Sequence, residues 1–461
     1  MIDDNFLHEL LKKTLAHGGE YADIFIEHRE STYIQLEDNR IEKVVTGSIS
    51  GIGIRLIYEG KTAYAFSNDF SANILLDLAA TVSKAAADTV RDVTINMKQQ
   101  RPQIIFSIKI PPASVPLENK IALVRQGNEA ARSLDNRIKQ ANIIYSDSMK
   151  KVKIATSDGI IAEDNRTYTM GIAHVIAADG TSIQTGNETA GGLTGHELFE
   201  TDPIEVIAER AARRAVMLLS ARKAPGGRMP VIISSAAGGT MIHEAIGHGL
   251  EADLARQGLS VYSKKLGSRV ASPLVTVVDD ATIPNKRGSF SIDDEGVIPG
   301  RNVLVREGIL IGYMYDKYNA FIDKTSSTGN GRRESYEHKP IPRMSNTLIA
   351  SGRLSPDDVL RSVSSGLLVK KMGGGQVNTV TGDFVFDVQE GYLIQNGSPG
   401  DPVRGASLIG NGPEILLSID MVASDLGFSI GTCGKDSQGV PVSDAMPTLR
   451  VPEMVVGGEI H

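Results

Sequence analysis

Apolar residues recur at helical spacing over residues 3–17, where Leu7, Leu10, Leu11 and Leu15 share one face and Gly18-Gly19 can end the helix. The period then drops to two. Ala22-Asp23-Ile24-Phe25-Ile26 and the stretch 50–58 carry β-branched alternation, and Glu59-Gly60 fits a turn, so residues 21–66 predict strands and hairpins. A helix is predicted over 69–90, with Asp69 as candidate N-cap and alanines favouring the helical state. Residues 98–116 are rich in Pro and short strands, and 117–134 read as a helix. Alternation returns over 142–190, with turns at Ser157-Asp158-Gly159 and Ala178-Asp179-Gly180. The clearest helix of the first half spans 201–222, where Thr201 or Asp202 can cap it and Pro203 suits the first turn. Such helices can cover one side of a largely antiparallel sheet.

The texture changes after Ala224-Pro225-Gly226-Gly227, the best linker candidate. Met229-Pro230-Val231-Ile232-Ile233 predicts a short buried strand, followed by a turn of small residues and one helix through about Arg256. From 270 onward short strands alternate with Gly, Pro, Asn and Asp, as at 274–278, 302–305, 309–313 and 347–349. The expected class is α+β. A mixed α/β N-terminal domain with an antiparallel sheet and helices (1–223) precedes a β-rich C-terminal domain (224–461) that carries a candidate metal helix. No internal repeat of short period and no low-complexity tract interrupts this plan.

Charge and composition narrow the functions. Lys and Arg total 48 against 55 Asp and Glu, a net charge of −7, and no basic run resembles a nucleic-acid footprint. Trp is absent and aromatics are only 5%, which argues against broad stacking platforms for bases or sugars. A lone cysteine, Cys433, cannot form an internal disulfide, so no oxidising compartment is needed. The start, Met1-Ile2-Asp3-Asp4, is acidic, unlike a secretory leader, and no apolar run reaches the ~20 residues of a membrane span. A cytoplasmic protein without nucleic-acid or membrane partners is expected.

The sharpest chemistry lies in His243-Glu244-Ala245-Ile246-Gly247-His248, a His-Glu-x-x-x-His pattern. Histidines four apart on an α-helix lie ~40° apart around its axis and can share a metal, whereas five apart they lie ~140° apart. The pair can meet only if the helix widens by one residue or ends near His248. A π-bulge makes i and i+5 neighbours, and Gly247 and Gly249 make that deformation easy. Glu244, beside a ligand, suits the role of general base toward a metal-bound water. The pairs His8-Glu9 and His196-Glu197 lack a suitably spaced second histidine.

A catalytic zinc site needs a third protein ligand and an open position. Cys433, flanked by Gly431 and Gly434, is a candidate; its plain alternative is a small buried apolar residue. Glu251 and Asp253 compete as ligands and are preferred as partners that orient the imidazole rings. Tyr336, His338 and Arg343 are candidate oxyanion donors, but an ordinary structural contact is the commoner use of each, and none joins the expected catalytic set. Gly373-Gly374-Gly375 permits either a close backbone approach or a flexible turn. It lacks the lysine and following helix of a phosphate loop, so no nucleotide is expected.

Around these residues the chain resembles the TldD/PmbA family, also called modulators of DNA gyrase. The resemblance runs through 243–253, Asp293-Asp294-Glu295-Gly296, residues 329–336 and 342–347, residues 373–378, Gly382-Asp383-Phe384, residues 409–413 and 431–435. It covers essentially the whole chain and is strongest over 226–461. The intact His-Glu-x-x-x-His looks like the metal-bearing TldD kind of subunit rather than the TldE/PmbA kind, which lacks it. The resemblance implies Zn2+ held by His243, His248 and Cys433, with Glu244 as base. It also implies cleavage of unfolded or extended peptides, and a homodimer or a heterodimer with a TldE/PmbA-type chain enclosing the active site. Zinc suits these ligands, although other divalent metals can occupy such a set. The rival expectation is a non-catalytic regulatory or partner-binding subunit with a structural metal. A third, a direct DNA-binding regulator, conflicts with the acidic balance.

Overall fold

The computed structural model describes residues 2–86 and 94–459. The end of the helix predicted over 69–90 lies outside the described residues.

The first half is built on a seven-stranded sheet. Its order is Lys61–Ser67, Arg40–Tyr58, Tyr21–Glu37, Ile138–Thr156 and Ile160–Asp179, the last flanked by Ser182–Gly192 and the short Lys98–Gln100. All pairings are antiparallel except that of Lys98–Gln100. Glu59 and Gly60 both take positive φ, 46° and 67°, as a tight hairpin requires. Period two divides the sheet into two faces. Ala22, Ile24 and Ile26 pack against Leu7, Leu10 and Leu11 of the helix Asp4–Thr14 and against Leu75 and Ala79 of Ala72–Ser83. Further along, Ile34 and Leu36 meet Val124 of Leu117–Ser133 and Ile207 of Ile204–Ser220. The intervening residues point the other way: Phe25 packs on Ile292 and Tyr336 from the second half.

Two capping expectations are corrected. Asp69 does not cap the helix; Ser71 holds the N-cap position, and Asp69 accepts from Ser71 N and Oγ in the turn before it. The later helix starts after Pro203, because Leu198–Thr201 forms its own short turn and Asp202 is not helical.

The second half is β-rich. Five strands close into a ring: Ser365–Val377, Gly227–Ile233, Leu449–Gly457, Ser407–Asn411 and Asp383–Gln395, the last pairing back onto the first. A six-stranded sheet runs Ile309–Leu310, Arg301–Arg306, Val277–Asp280, Asn346–Ile349, Gln438–Met446 and, at its edge, Gly427–Lys435. Val231, Ile233, Ile242, Ile246, Val369, Phe386 and Leu408 share one buried core, so the segment after Gly227–Ile233 is anchored to the ring by its apolar face. Residues 224–227 are not a loose tether. Ala224 N donates to Arg404 O, and Gly226 N to Glu459 O. Among the described residues no helix is long and apolar enough to cross a membrane.

Candidate metal centre

The single helix expected through Arg256 is in fact segmented. Thr240–Ile242 is α, His243–Gly247 is π and His248–Leu250 is 3-10. Glu251 then leaves the helix (φ −73°, ψ 126°) before Ala252–Gln257. The break has a tertiary cause: Ala252 N donates to Met314 O and Met314 N to Leu250 O, pulling the chain into a bridge with residue 314. The widening falls where the five-residue spacing demands it. The His243 and His248 rings stand edge to face with centroids 4.9 Å apart.

The third donor arrives on the edge strand Gly427–Lys435. Cys433 Sγ lies 3.5 Å from His248 Nε2, and one donor atom from each of His243, His248 and Cys433 falls within 4.8 Å of the others. His243 and Cys433 are buried and His248 nearly so. The second nitrogen of each imidazole is engaged: His243 Nδ1 with Asp444 Oδ1 at 2.7 Å, His248 Nδ1 with Glu251 Oε2 at 3.0 Å. This is the arrangement that fixes ring orientation around a metal.

Glu251 thus orients an imidazole as expected, but Asp253 does not. Its carboxylate accepts from Lys435 Nζ at 2.7 Å, and Lys435 also reaches Glu251 at 3.1 Å. The partner missing from the sequence reading is Asp444. Strand pairing sets Ser429 opposite Asp444 and Cys433 opposite Val440, so Cys433 and Asp444 lie on one face of the hairpin.

Burial would push the Cys433 thiol up, but hydrogen bonding and charge from His243 and His248 outweigh it and bring it down to about 5. Burial opposes protonation of His248, yet Glu251 and Cys433 hold it at about 9; His243 is likewise raised by Asp444 and Cys433 against its burial. A thiolate among imidazoles whose far sides meet carboxylates is a donor set that fits a divalent cation.

Glu244 behaves differently. Its carboxylate has no hydrogen-bond partner among the described residues and faces a cavity of about 620 Å³ shared with His243, His248 and Cys433. Burial, the largest influence, lifts it above the usual carboxylate value, while the two imidazoles pull it back. Across this cavity Gly375 and Gln376 face Ile430–Gly434. The glycine run lies within the strand Ser365–Val377, and a Cβ at Gly375 would fall 1.8 Å from the Phe386 ring, so close approach is its role there. Tyr336, His338 and Arg343 are absent from the cavity wall. Arg343 is fully buried and donates to Cys433 O and Gln438 O, which makes it a brace for the hairpin.

Three convergent donors beside an unengaged carboxylate define a candidate metalloenzyme site. Comparison with known proteins agrees. Models of the PmbA/TldA metallopeptidase match as domain 1 over 22–89, central domain over 110–219 and C-terminal domain over 226–458. A metalloprotease TldD homolog of Haemophilus influenzae is 38% identical over 450 residues, covering 95% of this chain and 93% of that one. A metalloprotease of Methanocaldococcus jannaschii is 36% identical over 442 residues, covering 95% and 97%. The chain belongs to the PmbA/TldD metallopeptidase family. Solved structures show the same fold: a proposed modulator of a DNA gyrase from Thermotoga maritima (TM-score 0.81, 20% identity, 98% and 99% covered) and TldE from Thermococcus kodakarensis (0.77, 18%, 99% and 99%).

Proposed function

We propose that this chain is a zinc-dependent peptidase of unfolded or extended peptides, with His243, His248 and Cys433 as metal ligands and Glu244 as general base. The observation that carries the reading is the free Glu244 carboxylate opening on the same cavity as the three buried donors. Zinc suits two imidazoles and a thiolate, and when bound it supplies Lewis acidity that polarises a carbonyl and acidifies water near neutral pH. Glu244 takes the proton of the attacking water and returns it to the departing amine; its raised proton affinity favours the first transfer. Asp444 and Glu251 hold the imidazoles in place throughout.

The edge of the six-stranded sheet suggests how substrate is held. Gly427–Lys435 has one neighbour, and its residues 430–434 line the cavity. An extended chain laid along that edge gains main-chain hydrogen bonds independent of sequence, which favours unfolded peptide over folded protein. The same reading divides the chain into an N-terminal domain (1–223) and a catalytic domain (224–461). It makes the working unit a dimer, with a second copy or a TldE/PmbA-type relative, and its place the reducing cytoplasm, where Cys433 stays a thiolate.

Metal content per chain, measured beside cleavage of an unfolded peptide, tests the proposal. The wild type should hold about one zinc and cut; Glu244→Gln should hold as much zinc and lose ~10²–10⁴ in kcat. Equal activity in both proteins, or metal retained by a Cys433→Ala/His248→Ala double variant, overturns it.

A further inference from the structure

A second cavity, of about 210 Å³, lies between the N-terminal sheet and the catalytic half. Six basic and three acidic side chains line it, an inversion of the chain's net charge of −7. Four of the cations are compensated: Arg166 by Asp294 at 2.7 Å, Lys150 by Glu27 at 3.3 Å, Arg333 by Asp23 at 3.4 Å and Arg29 by Glu27 at 4.0 Å. Arg332 and Arg287 have no carboxylate partner among the described residues.

Arg332 is 3% exposed, and its guanidinium donates to two main-chain carbonyls, Met344 O at 2.5 Å and Pro441 O at 2.7 Å. Arg287 donates to Thr432 Oγ1 at 3.1 Å and stacks over Tyr168. A guanidinium carries five donors, so most of this capacity is unused. Arg332 is buried with no directly paired carboxylate, a costly arrangement, and an incoming anion lowers that cost.

The place of the cavity relates it to the metal centre. Thr432 lines both cavities and directly precedes Cys433 on the edge strand Gly427–Lys435. Successive residues of a strand face opposite sides, so Cys433 looks to the metal centre and Thr432 to Arg287. A peptide laid along that edge likewise sends alternate side chains to the two sides. The volume suits one side chain or chain end and is below that of pockets holding whole small molecules.

We propose that Arg287 and Arg332 form an anion subsite that receives a carboxylate of the peptide substrate, making them specificity-determining residues beside the scissile position. The inference rests on the peptidase reading. The carboxylate can be a Glu or Asp side chain or the free C-terminus, and the experiment separates these sources.

Quenched fluorogenic peptides of one length, each carrying a single Glu or its Gln or Lys counterpart at successive positions, with free or amidated C-termini, are assayed for kcat/KM. Binding of the same peptides to Glu244→Gln is followed by fluorescence anisotropy. One position should show at least a tenfold preference for Glu over Gln, or the free terminus for the amide. Arg287→Gln should erase that ratio, Arg287→Lys should retain part of it, and Arg287→Glu should turn it toward Lys. Arg287 is half-buried and tolerates such changes better than Arg332. No charge preference at any position, or an Arg287→Gln protein in which Glu and Gln peptides fall by one common factor, overturns the subsite while leaving the peptidase intact. Charge-selective binding without cleavage by the wild type does the reverse.

Discussion

The two imidazoles of the candidate metal centre are oriented from opposite directions. His248 is braced by Glu251, three residues away and itself fixed by Lys435. His243 depends on Asp444, 201 residues downstream. The meeting of His243 and His248 was legible because the spacing demanded a widened helix; Cys433 joined them through the family resemblance of residues 431–435, since a lone cysteine between glycines leaves a plain buried role open. Asp444 was not legible, since no local pattern reports which residue strand pairing will set beside a ring. Asp253 sits closer in sequence, which makes it an expected orienting partner, but its carboxylate goes to Lys435. Losing an outer carboxylate of this kind typically costs 10–100-fold in metal affinity. Asp444→Asn keeps an acceptor for the Nδ1 proton, so zinc affinity measured by chelator competition should fall less than in Asp444→Ala, and peptide cleavage should recover when zinc is raised. An Asp444→Ala protein that competes for zinc as well as the wild type does would make this contact incidental.

At the scale of elements, the π-turn His243–Gly247 is stabilised by what surrounds it. Tyr262 donates its hydroxyl to Ala245 O at 2.9 Å, taking up a carbonyl that the widened turn frees. Gly247 sits where a Cβ would fall 2.2 Å from Sδ of Met344, a fully buried side chain. The widening was readable from the motif; the exit at Glu251 was not, because it follows from pairing with residue 314 rather than from any helix breaker. The same contrast holds elsewhere. Long amphipathic elements such as Asp4–Thr14 and Leu117–Ser133 fall close to their predicted limits, whereas Asp69 and Thr201 lost their capping roles to local turn chemistry. Gly247→Ala should destabilise the protein by about 1–3 kcal/mol in chemical denaturation, as overpacking does. Met344→Ala alone should cost about 2–5 kcal/mol through the cavity it leaves. Together the two should cost clearly less than their sum, because the new methyl occupies space the methionine vacates. Strict additivity would place the origin of the Gly247 requirement elsewhere.

Over the whole molecule, the segments 293–296 and 329–336 that carry much of the family resemblance do not line the cavity of the three candidate metal ligands. They build the junction between the halves. Arg55 of the N-terminal sheet reaches Asp23 and, at 2.6 Å, Glu295; Arg166 reaches Asp294 at 2.7 Å; and Arg333 N donates to Asp294 Oδ2 at 2.8 Å. Motif recognition marked these residues without saying what they do, since buried ion pairs between distant segments leave no periodic trace. Burial would raise the Asp294 carboxyl, but Arg166, Lys150 and Arg333 overcome it and hold it down at about 2, below its ordinary 3.8. The folded state therefore releases this proton more readily than the unfolded chain. The stability it contributes is complete above about pH 4 and is lost as pH falls toward about 2, a swing of about 2–3 kcal/mol. Asp294→Asn leaves Arg166 with less compensation at neutral pH and should cost about 3–5 kcal/mol there. In urea titrations of metal-free wild type and Asp294→Asn, run from pH 7 to pH 2, the gap between the two proteins should stay constant to about pH 4 and then narrow. A gap that widens toward low pH, or that is absent at pH 7, would mean that the junction does not draw its strength from this ion pair.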